Sequence, residues 1–279
     1  MEPRTTHRRV RWTHILGIIL LLNGMSAAAT LPIERQFPAP DEISDGMAFV
    51  GSDLWVWGVD LPHTFYVLDP ENGAVKASHP SPAAGGSTGL TYDGSSVWAV
   101  PVWGVPSDGS YPQLMAKISP VDGSVISYYD LPVGNFTGIT YDGQYLWVCG
   151  EGDDHSRILA LDLDTMQPVR ELTLPLGFLG DLAWDGLNLW MAAADWLGPD
   201  IGWQEYIVQI DPLTGSILGT FNAPGQAVVG LAWDNGLLYV SDPALDTIYV
   251  LRVPEPITFI YVVLCGLIMA QPQCRGRIF

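Results

Sequence analysis

One pattern recurs along the chain and restricts it to a single class of fold. From Gly138 to Pro175 the sequence reads GITYDGQYLWVCGEGDDHSRILALDLDTMQPVRELTLP. Ile139 and Tyr141 alternate with Thr140, the period-2 mark of a half-buried strand. Asp142-Gly143 suits the positive φ of a tight hairpin, and Tyr145 to Val148 form a return strand rich in β-formers. Ile158 to Leu161 and Val169 to Leu174 supply two more strands, and Pro175 ends the last because it cannot donate to a ladder. The first hairpin returns as Met47 to Gly51, Leu90 to Gly94, Leu182 to Gly186 and Leu231 to Asn235. The aromatic on the return strand is Trp55, Trp98, Trp147, Trp190 and then Tyr239, in steps of 43, 49, 43 and 49 residues. The second hairpin returns as Asp69 to Gly73, Ser119 to Gly123 and Asp211 to Gly215, with Gln167 in place of the glycine in the third copy.

A period in the forties with four strands per unit specifies propeller blades. A lone copy cannot bury its aromatic face, so neighbours stack. The segment 33–40, IERQFPAP, matches the ends of fourth strands such as ELTLP and TFNAP, yet it precedes the first complete hairpin. The last copy, ending at Tyr249 to Val253, has no fourth strand of its own. Closure by the N-terminal strand resolves both facts and removes two open sheet edges. The expected fold is all-β: a five-bladed β-propeller of four-stranded antiparallel blades, with residues 33–38 beside 247–253. The turn-plus-aromatic pattern YDGQYLWV and the turn DPLTG resemble those of NHL, YVTN and plant-type glutaminyl cyclase propellers, over roughly residues 44–253. That resemblance implies a fold and no activity, and no catalytic position of a cyclase carries over.

The two ends read as addresses. Met1 to Ala29 has a basic start (Arg4, Arg8, Arg9, Arg11), an apolar centre from Ile15 to Leu22 and a small-residue exit, the form of a helical secretory signal. The expected propeller domain spans 30–253, and 254–279 forms a tail. In that tail Pro254-Glu255-Pro256 precedes an apolar run from Ile257 to Ala270, and Arg275 and Arg277 follow. This is similar to a PEP-CTERM sorting signal. The resemblance implies an exosortase as processing partner, transient anchoring of a hydrophobic helix in the inner membrane, and delivery to the periplasm, outer surface or extracellular matrix of a Gram-negative bacterium. The run of 14 residues is short against the ~20 of a full span.

Between Thr30 and Pro256 six basic residues face 29 acidic ones, a net charge of −23. That excludes nucleic acid as a partner for the folded part. Cys149 is the one cysteine in this region, so no internal disulfide is available and a packed thiol is expected.

A four-stranded blade alternates ends, so the tight hairpins share one face of the disc and the longer loops share the other. The loop face is expected to carry Trp57, Trp103, Trp196 and Trp203 outside the blade pattern. Trp offers a flat apolar face and one N–H donor, suited to a sugar ring or a protein partner. Trp103, Trp196, Trp203, His63 and Asp200 are therefore candidate ligand-binding residues, for an exopolysaccharide or a surface protein. Trp57 reads equally well as filling. Glu151, Asp153 and Asp154 form the densest acidic cluster and are candidate ligands for calcium, which takes six to eight oxygens, although a solvated turn explains them as readily. Asp195, Asp200, Glu205, Asp242 and Asp246 belong to the same face and offer carboxylates for general acid–base chemistry, but no spacing selects a pair. No P-loop or CxxC motif is present. The sequence thus favours a binding or scaffold module, with a propeller enzyme such as a lyase, glycosidase or cyclase as the alternative.

Overall fold

The computed structural model describes residues 28–42, 44–60, 62–81, 89–103, 113–132, 135–151, 156–199 and 202–254. The chain opens with β1 (Ala29–Thr30) and β2 (Ile33–Pro38). Blade I then comprises β3 (Ser44–Val50), β4 (Asp53–Gly58), β5 (Thr64–Leu68) and β6 (Val75–Pro80). Blade II comprises β7 (Gly89–Tyr92), β8 (Val97–Trp103), β9 (Gln113–Ile118) and β10 (Val125–Asp130). Blade III comprises β11 (Asn135–Tyr141), β12 (Tyr145–Glu151), β13 (Ser156–Asp162) and β14 (Pro168–Leu174). Blade IV comprises β15 (Phe178–Trp184), β16 (Leu189–Trp196), β17 (Trp203–Ile210) and β18 (Ile217–Asn222). Blade V comprises β19 (Leu231–Asp234), β20 (Leu237–Asp242) and β21 (Thr247–Arg252), completed by β2.

Five antiparallel sheets result, and the ring is closed as expected: Gln36 pairs with Tyr249 and Phe37 with Ile248. Phe37 is buried among Tyr239, Ile248 and Leu54, so the closing strand is fastened by side-chain packing as well as by its ladder. β1 was not foreseen. It runs parallel to β18 as a fifth strand, Ala29 opposite Phe221, and Asn222 donates to the Ala28 carbonyl at 2.8 Å. Ala29 is also the residue at which the sequence places the end of the export signal. Two residues of strand carry no periodicity to read.

In blades II, III and IV the tight hairpin is built by one aspartate. Asp142 accepts the amides of Gln144 (2.7 Å) and Tyr145 (2.6 Å) and the indole N–H of Trp147 (2.7 Å). Asp93 and Asp185 do the same for Trp98 and Trp190, at 2.7 and 2.8 Å. One carboxylate thus fixes the turn, as Asx turns do, and gives a buried indole its hydrogen bond. The blades join through a second aromatic. Phe49 packs edge-on to Tyr239 of the preceding blade (5.1 Å), and Trp233 stacks on Trp190 (6.2 Å). Tyr92 packs in the cluster of Trp55, Tyr141 in that of Trp98 and Trp184 in that of Trp147.

The third hairpin corrects one alignment. Its left-handed residue is Met166 (φ 54°), with Met166 N–H donating to Asp162, where blades I, II and IV place Gly73, Gly123 and Gly215 (φ 75°, 72° and 72°). Gln167 is one residue beyond the glycine position.

The axis is sealed by Asp181. Aligning Met47, Leu90, Ile139, Leu182 and Leu231 puts Gly46, Gly89, Gly138 and Gly230 at its position in the other blades. Its carboxylate accepts the amides of Leu182 (2.8 Å), Ile139 (3.1 Å) and Leu231 (3.2 Å), and that of Met47. Four of the five innermost strands therefore bond to one side chain. Burial pushes this carboxyl well above its ordinary range, while the four amides pull the other way. A side chain at Gly89 or Gly138 would collide with Asp181 or its backbone, so the glycines clear the space it fills.

Candidate functional site

The hairpin β16–β17 carries the most exposed aromatic pair of the described loop face. Trp196 and Trp203 are cross-strand partners, their rings 5.4 Å apart, and each remains more than half exposed at 54% and 56%. Leu197 at the tip is exposed as well. The tip is tightened by Leu197 N–H to Gly202 O (2.9 Å) and Gly202 N–H to Gly198 O (2.8 Å), with both glycines at positive φ. A stable hairpin that holds two tryptophans in water gives up burial they would otherwise gain, the mark of a contact surface.

Strand alternation sorts the neighbouring polar groups. Ala192 and Ile207 pack into the core shared with blade V, so Ala194, Trp196, Trp203 and Glu205 project to that side. Ala193, Tyr206 and Val208 pack toward blade III, and Asp195 goes with them. The side of the hairpin that faces blade V therefore carries Trp196, Trp203 and Glu205. Asp242, in blade V, is buried and accepts the amides of Gln226 (2.6 Å), Ala244 (3.0 Å) and Ala227 (3.3 Å). Partial burial, then repulsion from Asp242, pushes the Glu205 carboxyl up to about 7. On the opposite wall of the hairpin, Asp195 accepts the Tyr206 hydroxyl (2.8 Å) and the Gly177 amide (3.1 Å), a brace rather than a reactive pair. Burial and the hydrogen bond to Asp195 raise the Tyr206 phenol.

A second acidic contact lies on the same face at blade I. Asp41 reaches Asp60, and burial followed by that contact pushes the Asp41 carboxyl up to about 6. The cations lie elsewhere. Of the six Lys and Arg residues between 28 and 254, five gather at the hairpin face. Arg35 donates to Pro70 O and the Tyr239 hydroxyl, and Lys76 pairs with Asp53. Lys117 lies over Trp98, Arg170 donates to Pro212 O, and Arg252 pairs with Glu34. Arg157, at the start of β13, is the one at the loop face, over Phe136 and 3.8 Å from Glu171. Both faces of the disc carry a surplus of carboxylates, and the cations that partly offset it gather at the hairpin face.

Of the expected ligand-binding residues, Trp196 and Trp203 meet. His63 sits on the loop face of blade I, its carbonyl accepting the Ser81 amide, away from the Trp196–Trp203 pair of blade IV. Trp103 ends β8 at the loop face of blade II and Glu151 ends β12 in blade III, with neither side chain described. Asp200, Asp153 and Asp154 lie outside the described residues, as do Glu255, Pro256, Arg275 and Arg277; Pro254 is the last described residue. Among the described residues no cluster of three or more His, Cys, Asp or Glu side chains is arranged to hold a metal ion. Trp57 is a filler: it is buried in the blade I–II core, edge-on to Phe65 at 5.1 Å. Cys149 is buried, its thiol donating to Gly180 O (3.2 Å) and pushed far up by desolvation, as befits an inert packed thiol. Sequence reasoning missed the division of Asp195 from Glu205, which needs strand register and not composition.

Solved structures share this architecture. The glutaminyl cyclase of Myxococcus xanthus aligns with a TM-score of 0.60 at 17% identity, over 81% of this chain and 98% of that one. A chain of a nidogen/laminin complex aligns with a TM-score of 0.51 at 14% identity, over 76% of each. The likeness is one of fold. No protein-family model matches the sequence, and no curated protein matches it.

Proposed function

We propose that this propeller is an exported, exosortase-sorted binding module of the cell surface or extracellular matrix, and that the blade V side of the β16–β17 hairpin, on its loop face, takes a glycan. The observation that carries the reading is the exposed Trp196–Trp203 pair set beside Glu205 on an otherwise anionic face. Two indole faces offer stacking to sugar rings, and the surplus of carboxylates disfavours acidic polymers. The class that fits is a neutral or amine-bearing polysaccharide. Calcium at Glu151, Asp153 and Asp154 would extend the same face. The terminal sequences support export and sorting. A glycan array, joined to pull-down from native exopolysaccharide, tests this reading: neutral or amino sugars are expected to bind, and a blank result for the wild-type protein overturns it.

A second reading rests on Glu205. A carboxyl poised near neutrality beside a fixed carboxylate is equipped for general acid–base work. The propeller scaffold shared with a glutaminyl cyclase is compatible with an enzyme of that or another class, including a lyase or glycosidase. Turnover lost in Glu205→Gln while binding survives would favour this reading over the first.

A further inference from the structure

Blade V lacks a turn that every other blade possesses. In blades I, II and IV, the turn between the third and fourth strands presses a glycine onto the fourth strand of the preceding blade. Gly73 meets Phe37, Gly123 meets His79 and Gly215 meets Leu172. In blade III, Met166 packs in the cluster that contains Tyr129. Blade V has no such turn, because its fourth strand, β2, arrives from the other end of the sequence. A groove of about 950 Å³ lies at that place on the hairpin face, with Trp190 buried at its base and Phe221 and Trp233 partly exposed in its walls. Its charged lining residues are Asp185 and Asp234, and no Lys, Arg or His lines it. Neither carboxylate is in an ion pair among the described residues. Arg35 acts on Asp234 through space, but it is paired with Glu71 at 3.1 Å.

Other blades show what this fold puts against the same aromatic. In blade II the cross-strand partner of Trp98 is Lys117, whose ammonium sits 5.0 Å above the indole. In blade V the Arg35 guanidinium lies 5.7 Å from the centre of the Tyr239 ring. In blade I His79 stacks on Trp55 at 5.3 Å. Blade IV has Gln209 opposite Trp190, where blade II has Lys117, and Phe221 where blade I has His79. It keeps the aromatic surface and the carboxylates, and supplies no cation of its own. The quadrupole of an aromatic ring attracts a cation to its face, and two carboxylates add to that attraction here. Both already hold donors from the chain. Asp185 accepts the Leu187 and Asn188 amides, the Trp190 indole and, at 3.4 Å, Gln209, while Asp234 accepts the Asn235 side chain. The groove thus offers charge and ring faces more than spare hydrogen-bond acceptors. A quaternary ammonium suits such a surface, since it brings charge and methyl groups and no N–H to satisfy.

We propose that this groove binds the quaternary ammonium group of a small organic molecule. The site lies on the opposite face from Trp196 and Trp203. It does not rest on the glycan reading, and failure of the glycan experiments leaves it intact.

Titration of the full chain with choline, followed by the indole N–H resonances, tests it; the control ligand is dimethylbutanol, in which carbon replaces the charged nitrogen. Choline is expected to bind saturably in the millimolar range, to shift the Trp190 and Trp233 signals, and to bind roughly tenfold tighter than the alcohol. Gln209→Lys puts an ammonium opposite Trp190, as blade II does opposite Trp98, and is expected to weaken choline binding by about tenfold or more. Asp234→Asn, at a partly exposed turn, gives the same test where the lysine disturbs the fold, with a loss of roughly threefold at low salt. The Trp196→Ala/Trp203→Ala double variant is expected to bind choline as the wild type does. Absence of saturable binding, equal affinity for the alcohol, or shifts confined to the loop-face tryptophans each overturns the proposal. Full choline affinity in a folded Gln209→Lys or Asp234→Asn protein overturns it as well.

Discussion

Removing the Asp181 carboxylate should do more damage than any other single polar truncation in this protein. The side chain accepts from Leu182, Ile139 and Leu231 at 2.8, 3.1 and 3.2 Å, and from Met47. Three of those donors belong to other blades, and the site is closed to solvent. Each buried donor left without an acceptor costs about 1–3 kcal/mol. Asp181→Ala should therefore lower stability by roughly 3–6 kcal/mol, the lower figure applying where water enters the vacated axis. That is a large part of the ~5–15 kcal/mol of a typical fold. Asp181→Asn keeps the volume and one oxygen but turns an NH2 group toward two donors, so it should fall between alanine and the wild type. Urea unfolding at neutral pH, followed by tryptophan fluorescence, measures both. A loss below about 1 kcal/mol for alanine at unchanged m-value would refute the view that this carboxylate ties the inner strands together.

Three further outcomes follow from the same physics. Phe37→Ala, in the closing strand, should cost about 3–5 kcal/mol in the same assay, since the ring is buried against Tyr239 and Ile248; a loss below 1 kcal/mol would mean that the closure is not fastened there. Asp142→Ala removes the acceptor of two turn amides and of the Trp147 indole, and should cost roughly 2 kcal/mol, with a red shift of the indole emission. Glu205 has a folded-state value of about 7, above its ordinary range, so its contribution to stability is full below the ordinary value and declines as pH rises to about 7. Titrating stability from pH 4 to 8 for wild type and Glu205→Gln should show a difference of about 1–2 kcal/mol across that window, after allowance for solvent; parallel curves would remove Glu205 from consideration as a poised acid.

The fold was legible because each blade states it locally: alternation gives the strands, a short glycine-bearing turn (Asp-Gly in blades II, III and IV) gives the hairpin, and one aromatic per blade gives the core. The closure was legible from a fourth strand in the wrong place. The axial role of Asp181 also left a trace, as an aspartate where the other copies have Gly46, Gly89, Gly138 and Gly230, but its meaning needs the five strands brought together. The site was legible only in part. Trp196 and Trp203 stand outside the repeat and are exposed as expected. The carboxylates of the loop face read as one pool in the sequence, whereas strand register assigns Glu205 to the side facing blade V and Asp195 to the far side of the same hairpin. Trp57 could not be judged from the sequence, because the same residue type fills a core or lines a surface according to which side of β4 it occupies.

Binding of the array-selected neutral or amino glycan, titrated against wild type and against the Trp196→Ala/Trp203→Ala double variant, addresses the loop-face surface most directly. Both side chains are exposed, so folding stability should change by no more than about 0.5 kcal/mol. Affinity is expected to fall at least tenfold, about 1.4 kcal/mol, at unchanged thermal midpoint. Equal affinity for the two proteins would contradict a binding surface at that tryptophan pair.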